Sequence, residues 1–231
     1  MCFSAGASLG VSAVLAGVGA ASLSRNNSPR LRMLAAFPLL FGAQQAAEGV
    51  VWLTMEEPSA IMHQFGVSAF LGFAFVIWPA YAPMSLYAAE RDPGRRRILQ
   101  VLTLFGAVVA LSAALLLTRW HPVASVAGHS IRYNHIGGDN SLLNGLLLLA
   151  YVISTVTPFF VSSTTMVRTI GGAFLVSLIV TLVIERSALT SVWCFCAALL
   201  SVLILVAVAR EQSSSPISVD TKQRSISEPS G

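Results

Sequence analysis

Glu48 is the one acidic residue well inside a hydrophobic run, in the stretch Gln44-Gln45-Ala46-Ala47-Glu48-Gly49-Val50-Val51-Trp52. The run extends from Met33 to Thr54, long enough to cross a bilayer. At about 100° per residue, Gln44, Gln45, Glu48 and Trp52 share one arc of a helix. Gly42, Ala46 and Gly49 form a small-residue stripe beside that arc, and Leu39, Leu40, Ala43, Ala47, Val50 and Val51 fall opposite. One side therefore suits lipid, and the other suits close packing and hydrogen bonding. An ionisable residue at such depth costs about 2.5–3.5 kcal/mol to insert, so it is kept for function or for pairing. Two readings stand: a proton or cation site, and an interhelical hydrogen-bond clasp. No cation shares this depth in any run, and desolvation without a positive partner disfavours the charged form. Glu48 is expected to be protonated at rest and to exchange its proton when a cation or substrate enters. It is expected to face Ser4, Ser8, Asn144, Thr190 and Cys194, with Gln44 or Gln45 bonded beside it and Trp52 as an apolar cover.

Cys2 and Cys194 both fall near the same face of the membrane and are expected to approach each other. They are a disulfide if their Cα atoms lie within about 7 Å, two thiolates on a soft metal, or two unrelated small buried residues. Either thiol is also a candidate nucleophile with Glu48 as general acid/base, given a base within hydrogen-bond reach. Three of the four histidines, His121, His129 and His135, share the segment from Arg119 to Asn140, and His63 lies in the other long loop on that side. Their spacings fit no metal motif, so they read as solvated loop residues. No metal and no cofactor are assigned. The three cysteines include no CxxC pair, which removes the zinc-ribbon spacing.

The elements that must position these groups are seven hydrophobic runs: 5–23, 33–54, 65–87, 98–118, 141–162, 167–184 and 189–209. Each approaches the ~20 residues that a bilayer requires. The fifth carries the cleanest polar stripe, Asn144, Tyr151, Thr155, Pro158 and Ser162. The first repeats Ser4, Ser8 and Ser12, the sixth Ser177, Thr181 and Glu185, and the seventh Thr190, Cys194 and Ser201. These stripes line a polar cavity or hydrogen-bond without one. In the third run, Trp78-Pro79 and Pro83 are expected to kink the helix.

Composition sets the class. Hydrophobic residues make up 55% of the 231 and charged residues 10%, against the ~25% charge of a soluble domain. Mean hydropathy is +0.74. The expectation is an all-α integral membrane bundle of seven helices over residues 1–210. Arg25, Arg30, Arg32, Arg91, Arg95, Arg96, Arg97, Arg168, Arg210, Lys222 and Arg224 fall on one side of it, leaving Arg119, Arg132 and Arg186 for the other. The positive-inside rule then places the N-terminus outside and the C-terminus in the cytosol, in a plasma or inner membrane. The net charge of +4 is accounted for by topology and requires no nucleic acid. The Met-Cys-Phe-Ser start lacks a basic n-region and reads as the first membrane helix. Residues 211–231 are Ser-rich and polar, and are expected to be a disordered cytosolic tail. Within it Arg224-Ser225-Ile226-Ser227-Glu228-Pro229 resembles the R-S-x-S-x-P motif read by 14-3-3 proteins after phosphorylation, with Ser227 as the phosphosite.

Three pieces together, Met1-Cys2-Phe3-Ser4-Ala5, the Gln44-Gln45-x-x-Glu48-Gly49-x-x-Trp52 run and Ser191-Val192-Trp193-Cys194-Phe195, resemble an uncharacterised family of multi-pass membrane proteins, domain of unknown function 6629. The resemblance covers the hydrophobic body. It implies a seven-helix membrane protein and no established activity. The residues exclude several classes. The single lysine, Lys222, is in the tail, so no retinal-type Schiff base forms in the bundle. No histidine or aspartate lies within a run, which argues against His-ligated haem and against zinc hydrolases of the ceramidase type. No Walker A or Rossmann glycine pattern occurs. What competes is a protein that binds or transports a small solute or ion around Glu48, an intramembrane enzyme using Glu48 with Cys2 or Cys194, and a structural membrane protein.

Overall fold

The computed structural model describes residues 4–119, 122–127, 130–133, 141–184 and 189–213. The expected residues Cys2, His121, His129, His135, Glu185 and Ser227 lie outside it. The first helix, α1 (Ala5–Arg25), starts where the Ser4 side chain accepts the Ala7 N–H at 3.3 Å. After a 3-10 turn at Pro29–Leu31 come α2 (Arg32–Ala35) and α3 (Phe37–Leu53). The break falls just before Pro38, which cannot donate to the carbonyl of Leu34. The next helix runs from Ile61 to Ala89 as α4 (Ile61–Gly72), a π-helical turn at Phe73–Ile77, and α5 (Trp78–Ala89). Then come α6 (Pro93–Arg119), a hairpin of β1 (Ala124–Ala127) and β2 (Ser130–Tyr133), α7 (Ser141–Thr155), α8 (Thr157–Val161), α9 (Thr165–Ile184), α10 (Leu189–Leu200) and α11 (Val202–Ser213).

The chain is mostly helical, and among the described residues six helical segments are long and apolar enough to cross a membrane: Ala5–Arg25, Ile61–Ala89, Pro93–Arg119, Leu142–Val161, Thr165–Ile184 and Leu189–Arg210. The helix bearing Glu48, α3, has 17 residues and falls short of that length by itself. Two expectations are corrected. The bundle is not purely helical, because β1 and β2 pair antiparallel with Ala124 opposite Tyr133. The hairpin is also no solvated loop: Ile131 is fully buried, and Ala124 and Tyr133 pack with Ala47, Val51, Val67, Phe70 and Cys194.

Glycine permits close contacts in two helix pairs. The expected small-residue stripe of α3 packs against α1, running antiparallel. Gly49 faces Leu9, Gly42 faces Ser12 and Ala16, and Gly19 of α1 faces Leu39. A Cβ on Gly19 would lie 2.6 Å from the Leu39 backbone nitrogen. Between α5 and α6, a Cβ on Gly106 would meet the Pro79 carbonyl oxygen. That carbonyl is free because the residue four ahead, Pro83, has no N–H to donate. Gly106 lets α6 close onto the exposed dipole. The distortion expected from Trp78-Pro79 takes the form of the π-turn, in which the Trp78 N–H bonds the Phe73 carbonyl.

The end of the bundle opposite the hairpin is tied by charge. The Glu90 carboxylate accepts the Ser163 N–H at 2.7 Å, the Ser163 hydroxyl at 2.7 Å, and the N–H groups of Arg91 and Asp92 at 2.9 and 3.0 Å. Arg95 donates through Nη1 to the carbonyls of Val161 and Ser162 at 2.9 and 3.0 Å. The anion thus sits just ahead of α9 and the cation at the end of α8, each where the helix dipole favours it.

Candidate functional site

The inward arc of α3 carries Phe37, Phe41, Gln44, Gln45 and Glu48, all buried. Gln44 and Gln45 are fully buried, and Glu48 is 2% exposed. Ser191 of α10 donates its hydroxyl to Glu48 Oε1. The Gln45 amide approaches the Glu48 carboxyl with a geometry short of a full hydrogen bond. Gln44 Oε1 accepts the Trp78 indole N–H at 2.6 Å, which ties α3 to α5, while its Nε2 approaches the Cys194 thiol without reaching full hydrogen-bond geometry. Trp52 is half-buried over the cluster of Val51, Phe70 and Tyr133, with its own N–H unpartnered. Tyr133 reaches in from the hairpin, stacked on Phe70 with centroids 4.9 Å apart, and its hydroxyl is buried without a partner within electrostatic reach of Glu48.

Cys194 lies one turn along α10 from Ser191, is 2% exposed, and neighbours both Gln44 and Glu48. It forms part of the wall of a small, partly open chamber of about 30 Å³, ringed by aromatic side chains from α3, α5, α7, α8, α9 and α10. The chamber walls include Phe41 stacked on Trp78 at 3.9 Å and Tyr151 edge-on to Trp193 at 5.4 Å. A second small pocket, also about 30 Å³, lies at the Arg-rich end among Leu31, Ala89, Ser162, Thr164 and Val208. Phe159 borders both cavities.

Of the residues expected at the site, Glu48, Gln44, Gln45 and Cys194 come together. Tyr151 lines the chamber, and Trp52 covers the hairpin end. Asn144 is half-buried on α7, two turns from Tyr151. Ser8 is buried on α1 with its hydroxyl unpartnered, whereas Ser4 is exposed and serves as the α1 cap. Thr190 is half-buried, and its neighbour Ser191 makes the bond to Glu48. His63 is a correction, being 3% exposed rather than solvated. The Thr54 hydroxyl gives its hydrogen to the Val50 carbonyl at 2.8 Å, so His63 Nδ1, 3.1 Å away, is the donor to Thr54. Cys194 and Cys196 are free thiols, and the pairing with Cys2 involves a residue outside the described set. Among the described residues, no group of three or more His, Cys, Asp or Glu is placed to hold a metal ion. Sequence reasoning missed Ser191, Trp78 and Tyr133. Ser191 and Cys194, three apart in the Ser-Val-Trp-Cys-Phe motif, share a helix face, which was the available signal.

A family model matches residues 1–219 of this chain. The chain belongs to the family of unknown function DUF6629. The family match takes in every residue of the site just described and continues beyond α11 into the polar tail. No match is found among curated proteins or among solved structures.

Proposed function

We propose that this protein binds and moves a small solute or ion across a membrane, with Glu48 as the proton or cation site. The observation that carries the reading is a group of orphaned polar atoms. The Trp52 indole N–H and the Tyr133 hydroxyl are buried and unpartnered near one carboxyl, and the amides of Gln44 and Gln45 beside it fall short of full hydrogen bonds. The large majority of buried side-chain polar atoms in proteins are hydrogen-bonded. A structural clasp accounts for the Ser191–Glu48 and Trp78–Gln44 bonds, but it leaves these other groups under-satisfied. A ligand, ion or water file with donors and acceptors satisfies them. Two small pockets that share Phe159 as a lining residue support passage over a purely structural role. The enzyme reading is weaker. Cys194 is near Glu48, but Glu48 takes its hydrogen bond from Ser191, and a general base must reach the proton it removes.

In this reading α3 is a seventh crossing. Its support is that the turn before α2, the last residue of α5 and the segment between α8 and α9, together with α11, border one pocket. The N-terminus is then outside, and the basic end is in the cytosol.

The test is proteoliposomes holding a pH-sensitive dye, challenged with sodium and potassium gradients. Wild type is expected to move protons against the added cation, and Glu48→Gln, which keeps the shape of the side chain, is expected to lose that flux while melting near the wild-type temperature. Equal flux in the two proteins overturns the assignment.

A further inference from the structure

We propose that His63 hands Glu48 its proton from the hairpin end of the bundle, by way of the Tyr133 hydroxyl. This rests on the Glu48 reading above and names the group through which that carboxyl exchanges with the solution.

A proton site inside a bundle needs a path to water. Neither pocket described above provides one, because Glu48 lines neither. The hairpin end holds groups that can. His63, in the first turn of α4, is 3% exposed and stands between the exposed side chains of Met62 and Gln64, close beneath the surface. Its ring is oriented by Thr54: Nδ1 donates to that hydroxyl, so Nε2 carries the lone pair. The lone pair is buried without a partner. Structure alone gives no reason to bury that acceptor unpaired, at a cost in free energy. Imidazole is also the side chain that gains and loses a proton near neutral pH.

Thr54, Val51 and Glu48 follow one another at three-residue steps along α3. Thr54, with the imidazole bonded to it, is therefore roughly 9 Å along the helix from Glu48. On α4, His63, Val67 and Phe70 share a buried face, and Phe70 stacks on Tyr133. That face leads from the imidazole to the tyrosine, whose buried, unpartnered hydroxyl has Glu48 within electrostatic reach. The Trp52 indole N–H, also unpartnered, packs with the same side chains. An acceptor at one end and two donors beyond it are what a bridging water satisfies. The indole only donates, so it anchors the water. The phenol hydroxyl accepts one proton as it gives up its own, so it relays.

The protons balance. Nε2 takes a proton from solution and becomes imidazolium, still bonded to Thr54 through Nδ1. The Nε2–H bond then breaks as the bridging water and the Tyr133 oxygen each gain one proton and release another, and an O–H bond forms on the Glu48 carboxylate. Imidazole and phenol end neutral, and the sequence reverses when Glu48 unloads toward this end. The remaining described titratable groups on the elements around this face are Cys194 of α10, which is buried, and Glu56, Glu57, Arg119 and Arg132, which are exposed.

The experiment uses the full chain in the proteoliposome assay above, with a fixed sodium gradient and the bath pH varied from about 5 to about 8. His63→Asn keeps an amide that can donate to Thr54 and removes the titrating nitrogen. It is expected to melt near wild type, to move protons at least about tenfold more slowly, and to shift the midpoint of the rate against pH. Tyr133→Phe keeps the ring on Phe70 and removes the hydroxyl. It is expected to be slower with the midpoint unmoved. A wild-type rate in either variant, or an unmoved midpoint in His63→Asn, overturns the proposal, and if His63→Asn does not fold, the rate of Tyr133→Phe decides. If Glu48→Gln loses the flux while His63→Asn and Tyr133→Phe keep it, the His63 path fails and the Glu48 reading stands. If Glu48→Gln keeps the wild-type flux, both fail.

Discussion

Ser191 holds Glu48 across the gap between α10 and α3, joining residues far apart in the chain. Ser191→Ala removes the donor and leaves a buried carboxyl short of a partner, at an expected cost of about 1–3 kcal/mol in stability. A thermal melt of the detergent-solubilised protein checks it. Glu48→Ala is expected to cost at least as much, because the Ser191 hydroxyl loses its acceptor and a space opens in the packed interior, whereas Glu48→Gln should stay close to wild type. In a double-mutant cycle of Ser191→Ala with Glu48→Ala, the two losses should fall short of additivity; additive losses would mean that the bond contributes nothing. The sequence identified Glu48 because an acid in an apolar run is conspicuous, and Gln44 and Gln45 because they fall on its helical arc. Ser191 was not conspicuous. A serine in an apolar helix commonly bonds back to its own carbonyls, as Ser201 does to Ala198 at 2.6 Å, and nothing local separates the two behaviours. Tyr133 was out of reach altogether, since its place depends on a hairpin folding back over α4.

Between elements, the sharpest expectation concerns Gly106. Gly106→Ala places a methyl against the Pro79 carbonyl, so α5 and α6 must separate, with a loss of about 1–3 kcal/mol. Gly10→Ala on α1, where nothing lies within 4 Å of the added carbon, is the matched control and should melt with wild type. The positions of the helices were legible from hydropathy because backbone hydrogen bonds must be met inside each apolar run. Their interruptions were less so. The split of Met33–Thr54 into α2 and α3 follows from Pro38, and the prolines of α5 signalled a distortion without naming its kind. The hairpin was hidden because its strands are only four residues each and gain their burial from α3, α4 and α10. The small-residue stripe of α3 was readable from spacing alone, and its occupant, α1, was not.

At the level of the molecule, the Glu90 clasp makes stability depend on pH. Burial pushes the Glu90 carboxyl up, but the hydrogen bonds from Asp92, Ser163 and Arg91 outweigh it and hold the group below the ordinary glutamate value. A carboxyl depressed in the folded state stabilises above its unfolded pKa, and that contribution disappears as pH falls through the folded value. Glu90→Gln should therefore melt below wild type at neutral pH, and the gap should close as pH falls through and below the ordinary glutamate range. A gap that stays constant with pH would show that the charge plays no part. Sidedness is tested separately. An impermeant maleimide should label Ser125→Cys in intact cells, and should label Asp92→Cys only after the membrane is opened; the reverse pattern inverts the proposed orientation. The basic residues that pointed to this arrangement were legible as a pattern, while the particular work of Arg95, capping α8 from the first turn of α6, was not.

The π-turn at Phe73–Ile77 also records something about chain length. Such a turn holds one residue more than the α-helix around it while the flanking turns keep their places. A relative lacking one residue between Phe73 and Ile77 would close the turn into regular helix and still present its tryptophan to Gln44. The same deletion a few positions later, within α5, would swing every following side chain by about 100° and carry Tyr81 away from the Met33 carbonyl that it bonds at 2.9 Å. Length variation in this helix is expected to concentrate in those five residues, and a set of single-residue deletions scanned from Phe73 to Ala89 for expression and melting temperature would map where the chain tolerates it.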